Sequence, residues 1–241
     1  MKSPAITAAL PWRFERFDFA ELQQSRGYDL LTRLPLLLWS AFCAAVQIGG
    51  LARYIREADT ALSNAIWAIN IAMRASTIGF LLLLAAAVVL RMRPSGRAGG
   101  LEPRVSAFIG TFLIYAVPLF PRRDLTVSAE LVATMLTLLG SAAAVVVLSQ
   151  LGRSFSMMAE ARRLVTSGPY RCVRHPLYLA EELSVAGLFL QFACPWTAAL
   201  FAVQIAFQLR RMHNEEKVLM ASFLEYAAYR QRTARLIPGI Y

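Results

Sequence analysis

Between Leu164 and Tyr178 the chain concentrates groups suited to holding a charged small molecule: Tyr170, Arg171, Arg174, His175 and Tyr178, set around the turn Ser167-Gly168-Pro169. Guanidinium forks grip carboxylate or phosphate, and tyrosine faces attract cations. Pro176 suits the first position of a helix, where its missing N–H costs nothing. A helix starting there turns its free N–H groups and positive dipole end back toward the loop, which makes a seat for an anion. His175, preceding a proline, is biased out of helical geometry and projects from irregular backbone. Just beyond lie Glu181 and Glu182, at a depth where an ionisable side chain is usually functional or paired. The plainer reading is that Arg171 and Arg174 hold lipid phosphates and the glutamates pair with them.

A second polar window runs from Arg210 to Tyr229 and contains Arg211, Glu215 and Glu216. Apolar residues at 212, 219, 223 and 226 have helical spacing, so this window reads as an amphipathic helix. Arg211 and Glu215 stand one turn apart on it. Alone, such a pair is an ordinary surface contact worth about 0.2–0.5 kcal/mol. Its significance depends on what lies beside it.

The positioning elements are apolar. Of 241 residues 57% are hydrophobic, in six stretches near 34–51, 66–90, 105–121, 128–150, 177–193 and 195–209. Spanning a bilayer takes roughly 20 helical residues, with about 17 a lower limit. The third and fifth stretches just meet that limit and the sixth falls short of it. The last two are expected to form a tight hairpin around Cys194-Pro195-Trp196, with the tryptophan at the interface. The expected fold is therefore all-α, a polytopic integral membrane protein with about six transmembrane helices. An amphipathic segment on the inner leaflet would occupy 1–33, four spans 34–150, and the functional region 151–241. Arg74 falls inside the second stretch, so either that helix begins near Ala75, letting the charge snorkel from its end, or Arg74 has a partner; the first is expected. Arg91–Pro103, rich in Gly, Arg and Pro, reads as a flexible linker.

The net charge of +10 comes from 23 Arg and 2 Lys. Nucleic acid is one partner such basicity suits, but its distribution argues against that. Arginines cluster in 13–33, 91–104, 153–174 and 210–235, and six crossings put all four clusters and both termini in the cytoplasm. The expected partners are the lipid bilayer and an amphiphilic ligand, with no nucleic acid. Cys43, Cys172 and Cys194 are scattered and histidines number two, so no disulfide framework and no metal are expected. Ala5–Leu10 is too short for a signal-peptide core, and the compact chain points to a bacterial inner membrane. Because the fifth and sixth helices are antiparallel neighbours, the two polar windows emerge side by side on one face.

The motifs L-V-x-x-G-P-Y-R-x-x-R-H-P-x-Y and, about 30 residues later, R-x-x-x-E-E resemble the isoprenylcysteine carboxyl methyltransferase family, itself related to membrane phospholipid N-methyltransferases. The resemblance covers roughly 150–240, including Leu151-Gly152-Arg153-Ser154-Phe155-Ser156 and Tyr226…Tyr229…Arg235-Leu236-Ile237-Pro238. It implies S-adenosylmethionine as methyl donor, in a cytosolic pocket under the C-terminal part. Carried across, Leu164, Val165, Tyr170, His175, Pro176, Leu177, Tyr178 and Glu215 would line the cofactor site, with Arg162 and Arg163 beside them. Arg211 would be the catalytic residue, facing a lipid-like or small amphiphilic methyl acceptor that carries a carboxylate, amine or thiol. The family usually has glycine where this chain has Ala180, which would narrow the pocket or change helix packing. Two other classes stay open. Membrane sterol reductases share a related pocket that binds a nicotinamide cofactor. A transporter or scaffold needs no cofactor, but a conducting path needs polar lining across the bilayer, and only Gln47, Gln191 and Gln204 offer it.

Overall fold

The computed structural model describes residues 26–57 and 64–239. The elements run α1 Arg26–Arg56, α2 Asn64–Leu90, β1 Gly96–Arg97, α3 Glu102–Phe112, a 3₁₀ segment Leu113–Leu119, α4 Val127–Leu151, β2 Glu160–Ala161, α5 Pro176–Phe192, α6 Pro195–Ser222 and α7 Tyr226–Arg232. Among the described residues, three helices are long and apolar enough to cross a membrane: Gly27–Arg56, Asn64–Leu90 and Val127–Ser154. The other apolar stretches form α3 with its 3₁₀ extension, the 17-residue α5, and the first half of the 28-residue α6. Pro118 lies in the 3₁₀ segment, where it removes a donor and crowds the residue before it out of α geometry.

Large apolar side chains such as Leu38, Phe42, Val46, Val132 and Val146 are exposed along the outer faces of α1 and α4. That is the surface a bilayer would cover. Inside, Leu84, Val88, Ala144 and Leu148 pack with Phe155, Tyr170 and Leu177. The closest approach is between α4 and α5. A Cβ on Gly187 would come within 2.9 Å of the Thr137 backbone N, and one on Gly140 within 2.7 Å of the Ala180 carbonyl O. Backbone cannot yield as a side-chain tip can. Gly187→Ala is therefore expected to push the helices apart, at a cost of about 1–3 kcal/mol, read as a lowered thermal midpoint of the purified protein.

α5 and α6 form the expected hairpin. Proline opens each helix, and Cys194 caps α6 reciprocally with Thr197. Trp196 at the tip is 71% exposed. The helices run antiparallel, with Phe189 stacked on Phe201 at 5.4 Å and Gln204 Nε2 donating to Glu182 Oε1 at 2.8 Å. α6 also packs on α3, where Asn214 Nδ2 donates to Glu102 Oε2 at 3.0 Å and Gly110 leaves room for Gln208.

Three expectations change. Arg74 does not end a helix, because α2 begins at Asn64 and carries Arg74 in its interior. It has a partner instead: its guanidinium carbon sits 5.1 Å from the centre of the Tyr54 ring, a cation–π contact that tolerates desolvation. Arg91–Pro103 is not a loose linker. Gly96 and Arg97 pair antiparallel with Ala161 and Glu160, and buried Arg91 donates from Nη2 to Asp29 Oδ1 at 2.9 Å. Residues 26–33 of the expected surface segment belong to α1, with Asp29 also bound by Arg33 at 2.6 Å; the rest of that segment, 1–25, lies outside the described residues. These contacts, with Met92 N donating to Arg153 O at 2.9 Å, bring residues 29–33, 91–97 and 153–161 together.

Candidate functional site

The loop before α5 is built by backbone partners from the far end of the chain. Arg174 N and His175 N donate to the Ala234 and Arg235 carbonyls at 2.8 and 3.1 Å, and Val173 bridges Ala234 in parallel. Tyr229 Oη donates to the Tyr170 carbonyl at 2.7 Å. His175 (φ −125°, ψ 57°) stands outside the helix that Pro176 opens, as its position before proline dictates. The amides of Arg174 and His175, just ahead of α5, are thus occupied by the C-terminal segment.

Between this loop, β2, α5 and α6 lies a cavity that opens to solvent. Arg162, Arg163, Leu164, Val165, Tyr170, His175, Leu177, Tyr178, Arg211 and Glu215 all line it. Pro176 does not: it is buried at the first position of α5, where its role is to start the helix. Ala180 is also off the wall, buried in the core beside α4, so its methyl group touches helix packing and leaves the cavity unchanged. Ser154, Phe155 and Glu160, which sequence reasoning had not assigned, line the cavity too, as do Arg174 and Glu181.

The inner wall joins the two polar windows. Tyr178 Oη donates to Glu215 Oε1. Arg211 Nε lies 3.3 Å from the same carboxylate, its guanidinium carbon 4.9 Å from the Tyr178 ring centre, and its Nη1 donates to Thr111 Oγ1 at 3.1 Å. The i, i+4 pair, weak on a bare helix, is here buried and held from three sides. The side under the C-terminal segment centres on Glu216. It accepts from Arg174 Nε at 2.9 Å and Arg235 Nη2 at 2.7 Å, with His175 Nε2 3.2 Å away. The plainer alternative, in which Arg174 pairs with Glu181 or Glu182, gives way to Glu216.

Across the mouth, Arg162 bonds Glu160, whose other oxygen meets Arg97 at 3.1 Å. The Arg162 side chain is fully buried, and its Nε and Nη1 have no hydrogen-bond partner among the described residues. Burial pulls its guanidinium pKa down against the attraction of Glu160. Two orphaned donors on a cavity wall are what an anionic ligand group would satisfy. Burial also raises the phenols of Tyr170 and Tyr229, the latter to about 12, so both stay neutral donors.

Orphaned guanidinium donors, the Glu215 carboxylate, and the Tyr170, Tyr178 and Phe155 rings together suit a zwitterionic nucleoside sulfonium. Residues 132–221 match the isoprenylcysteine carboxyl methyltransferase family. The match encloses α5 and nearly all of α6, and with them every inner-wall contact except Thr111. The chain is also similar to the cobalt-zinc-cadmium resistance protein CzcN of Cupriavidus metallidurans, with 35% identity over 78 residues. It resembles the nickel-cobalt-cadmium resistance protein NccN of Alcaligenes xylosoxydans xylosoxydans at 32% identity over 78 residues. Each alignment covers 32% of this chain and about a third, 36% and 37%, of the relative. The family match and the apolar helices support a membrane methyltransferase.

Proposed function

We propose that this chain is an integral membrane methyltransferase using S-adenosylmethionine to methylate an amphiphilic acceptor, with six crossings and the cavity facing the cytoplasm of a bacterial inner membrane. The observation that carries the reading is the Tyr178–Glu215 hydrogen bond, which joins two motifs 37 residues apart into one cavity wall. When bound, the cofactor supplies an activated methyl group. Arg162 would take its carboxylate, Glu215 its amino or hydroxyl groups, and the Tyr170 and Tyr178 rings its adenine or sulfonium face. Methyl transfer is an in-line displacement that requires no general acid. The protein's part is alignment and exclusion of water, which can supply many kcal/mol. The buried inner wall suits that task, and an amphiphile could reach it from the bilayer between helices.

Calorimetric titration of the purified protein with S-adenosylhomocysteine tests the assignment. Wild type should bind it and ignore NADP⁺. Glu215→Ala and His175→Ala should each weaken binding by about tenfold or more, the scale of one lost charge-assisted hydrogen bond. Unchanged affinity in both variants, or preference for the nicotinamide cofactor, would overturn the pocket.

A further inference from the structure

Where α1 begins, positive charge outnumbers negative. Arg33, Arg91, Arg97 and Arg162 share the carboxylates of Asp29 and Glu160. A further guanidinium, Arg104 on the first turn of α3, shares in neither. Its carbon sits 5.9 Å from the centre of the Tyr28 ring, and among the described residues no carboxylate lies within 4.0 Å of it. Arg97 approaches the same ring at 5.3 Å. Glu102, the acid beside Arg104 in sequence, is taken by Arg210 and Asn214. The surplus favours a bound anion.

Tyr28, Thr32, Arg97, Pro103, Arg104 and Glu160 wall a recess at this point. Met158 and Glu160 border both the recess and the main cavity. Arg162, His175, Tyr178 and Glu215 line only the latter, so the recess is a separate seat.

The surface running on from the recess is apolar. On α1, exposed Leu31, Leu38 and Phe42 follow Tyr28 at i+3, i+10 and i+14, continuing its side of the helix. On α3 and its 3₁₀ extension, exposed Phe108 and Tyr115 follow Arg104 at i+4 and i+11. Trp39 joins the two stripes, edge-on to Phe112 at 5.9 Å and to Tyr115 at 4.9 Å. α1 is long and apolar enough to cross a membrane from Gly27 onward, which sets Tyr28 and Arg104 at headgroup depth. Trp39 then lies about 16 Å further along the helix, among acyl chains.

A basic, aromatic head above two apolar stripes matches an anionic phospholipid. Free phosphate would fill the head and leave the stripes bare. A zwitterionic lipid would bring its own cation against Arg97 and Arg104. We infer that the groove between α1 and α3 holds an anionic phospholipid, its phosphodiester against Arg104 and Arg97 and an acyl chain along Leu31, Leu38 and Phe108. The site needs a chain that spans a membrane and does not depend on methyl transfer.

The test places the full chain in phosphatidylcholine nanodiscs doped with phospholipid brominated at mid-chain, bearing either a glycerol or a choline headgroup. Bromine quenches indole fluorescence only at close range, and Trp39 is the reporter in the groove. Half-quenching of wild type should need at least about tenfold less phosphatidylglycerol than phosphatidylcholine, since each basic side chain contributes about fivefold at a membrane surface. The preference should fall about fivefold in Arg104→Gln and largely return in Arg104→Lys, which keeps the charge. Trp39→Phe should abolish the part of the quenching that depends on headgroup. Inorganic phosphate, added at constant ionic strength, should not relieve it. Equal half-quenching by the two lipids would overturn the inference, as would a preference that survives Arg104→Gln or Trp39→Phe undiminished. Quenching relieved by phosphate would overturn it too, because the recess would then read a free anion. If Arg104→Gln does not fold, the wild-type preference and Trp39→Phe carry the test.

Discussion

Glu216→Ala is expected to destabilise the folded protein by about 3–5 kcal/mol, the cost of stripping one partner from a buried charge cluster. Glu216 is 4% exposed and sits between Arg174, Arg235 and His175, with Arg230 at 4.0 Å. Removing its carboxylate takes away the charge that Arg174 and Arg235 share. It also loosens residues 233–235, whose carbonyls hold the loop before α5, so the cavity mouth should open with it. Thermal unfolding of the purified protein reads the effect, and S-adenosylhomocysteine binding should weaken in parallel. Glu216→Gln should fall between, because an amide can still accept from one arginine but carries no charge.

The same residue sets an acid limit. Burial alone would raise the Glu216 pKa, but hydrogen bonds from His175, Arg235 and Arg174 outweigh it and hold the carboxyl far below its ordinary 4.5. A depressed native pKa contributes stability that is complete above the unfolded-state value and is lost as pH falls toward the native one. The thermal midpoint should therefore owe nothing to Glu216 titration between about pH 8 and 5, and fall through it only below about pH 4.5. Glu216→Ala should flatten that acid limb. A limb of equal steepness in both proteins would assign it to other carboxylates.

What the sequence disclosed and what it hid divide along contact range. Pro176 and Pro195 start α5 and α6 because a proline's local chemistry is decisive wherever it stands. Once those helices are a hairpin, the meeting of 164–178 with 210–216 follows from geometry, and nearly every residue assigned to the cavity lines it. Arg74, Arg91 and Arg174 were misjudged for one shared reason. Each looks like a surface charge in its own segment, and its partner (Tyr54, Asp29 or Glu216) comes from another element. Hydropathy windows also count apolar residues without regard to backbone, so they pass over the change to 3₁₀ geometry at Leu113. Glu181 was visible as an acid at the membrane edge. Only the packing of α6 shows that it faces a cavity, and that Gln204 and Gln208 extend its polar seam inward.

Arg211→Ala is expected to lower methyl transfer by about 10²–10⁴-fold, the rate equivalent of the 3–5 kcal/mol that separates a held buried carboxylate from an abandoned one. The guanidinium ties three elements together: Glu215 on its own helix, the Tyr178 ring on α5 and Thr111 on α3. Without it Glu215 keeps the Tyr178 hydroxyl and, at 3.9 Å, His175 Nδ1, and the ring loses the cation packed over it. Reacting groups must align to within a fraction of an ångström, so a loosened wall costs rate before it costs binding. S-adenosylhomocysteine affinity should accordingly fall far less than turnover, because the Arg162 and Tyr170 side of the cavity is untouched. Arg211→Lys separates charge from shape: it keeps one positive charge but not the planar fork that reaches Glu215 and Thr111 together. It should recover part of the lost stability and little of the rate. The measurement is incorporation of labelled methyl from the donor into a total lipid extract, set beside the affinity of each variant for S-adenosylhomocysteine. Equal losses in rate and affinity would place Arg211 in the donor site instead of the wall that orients the acceptor.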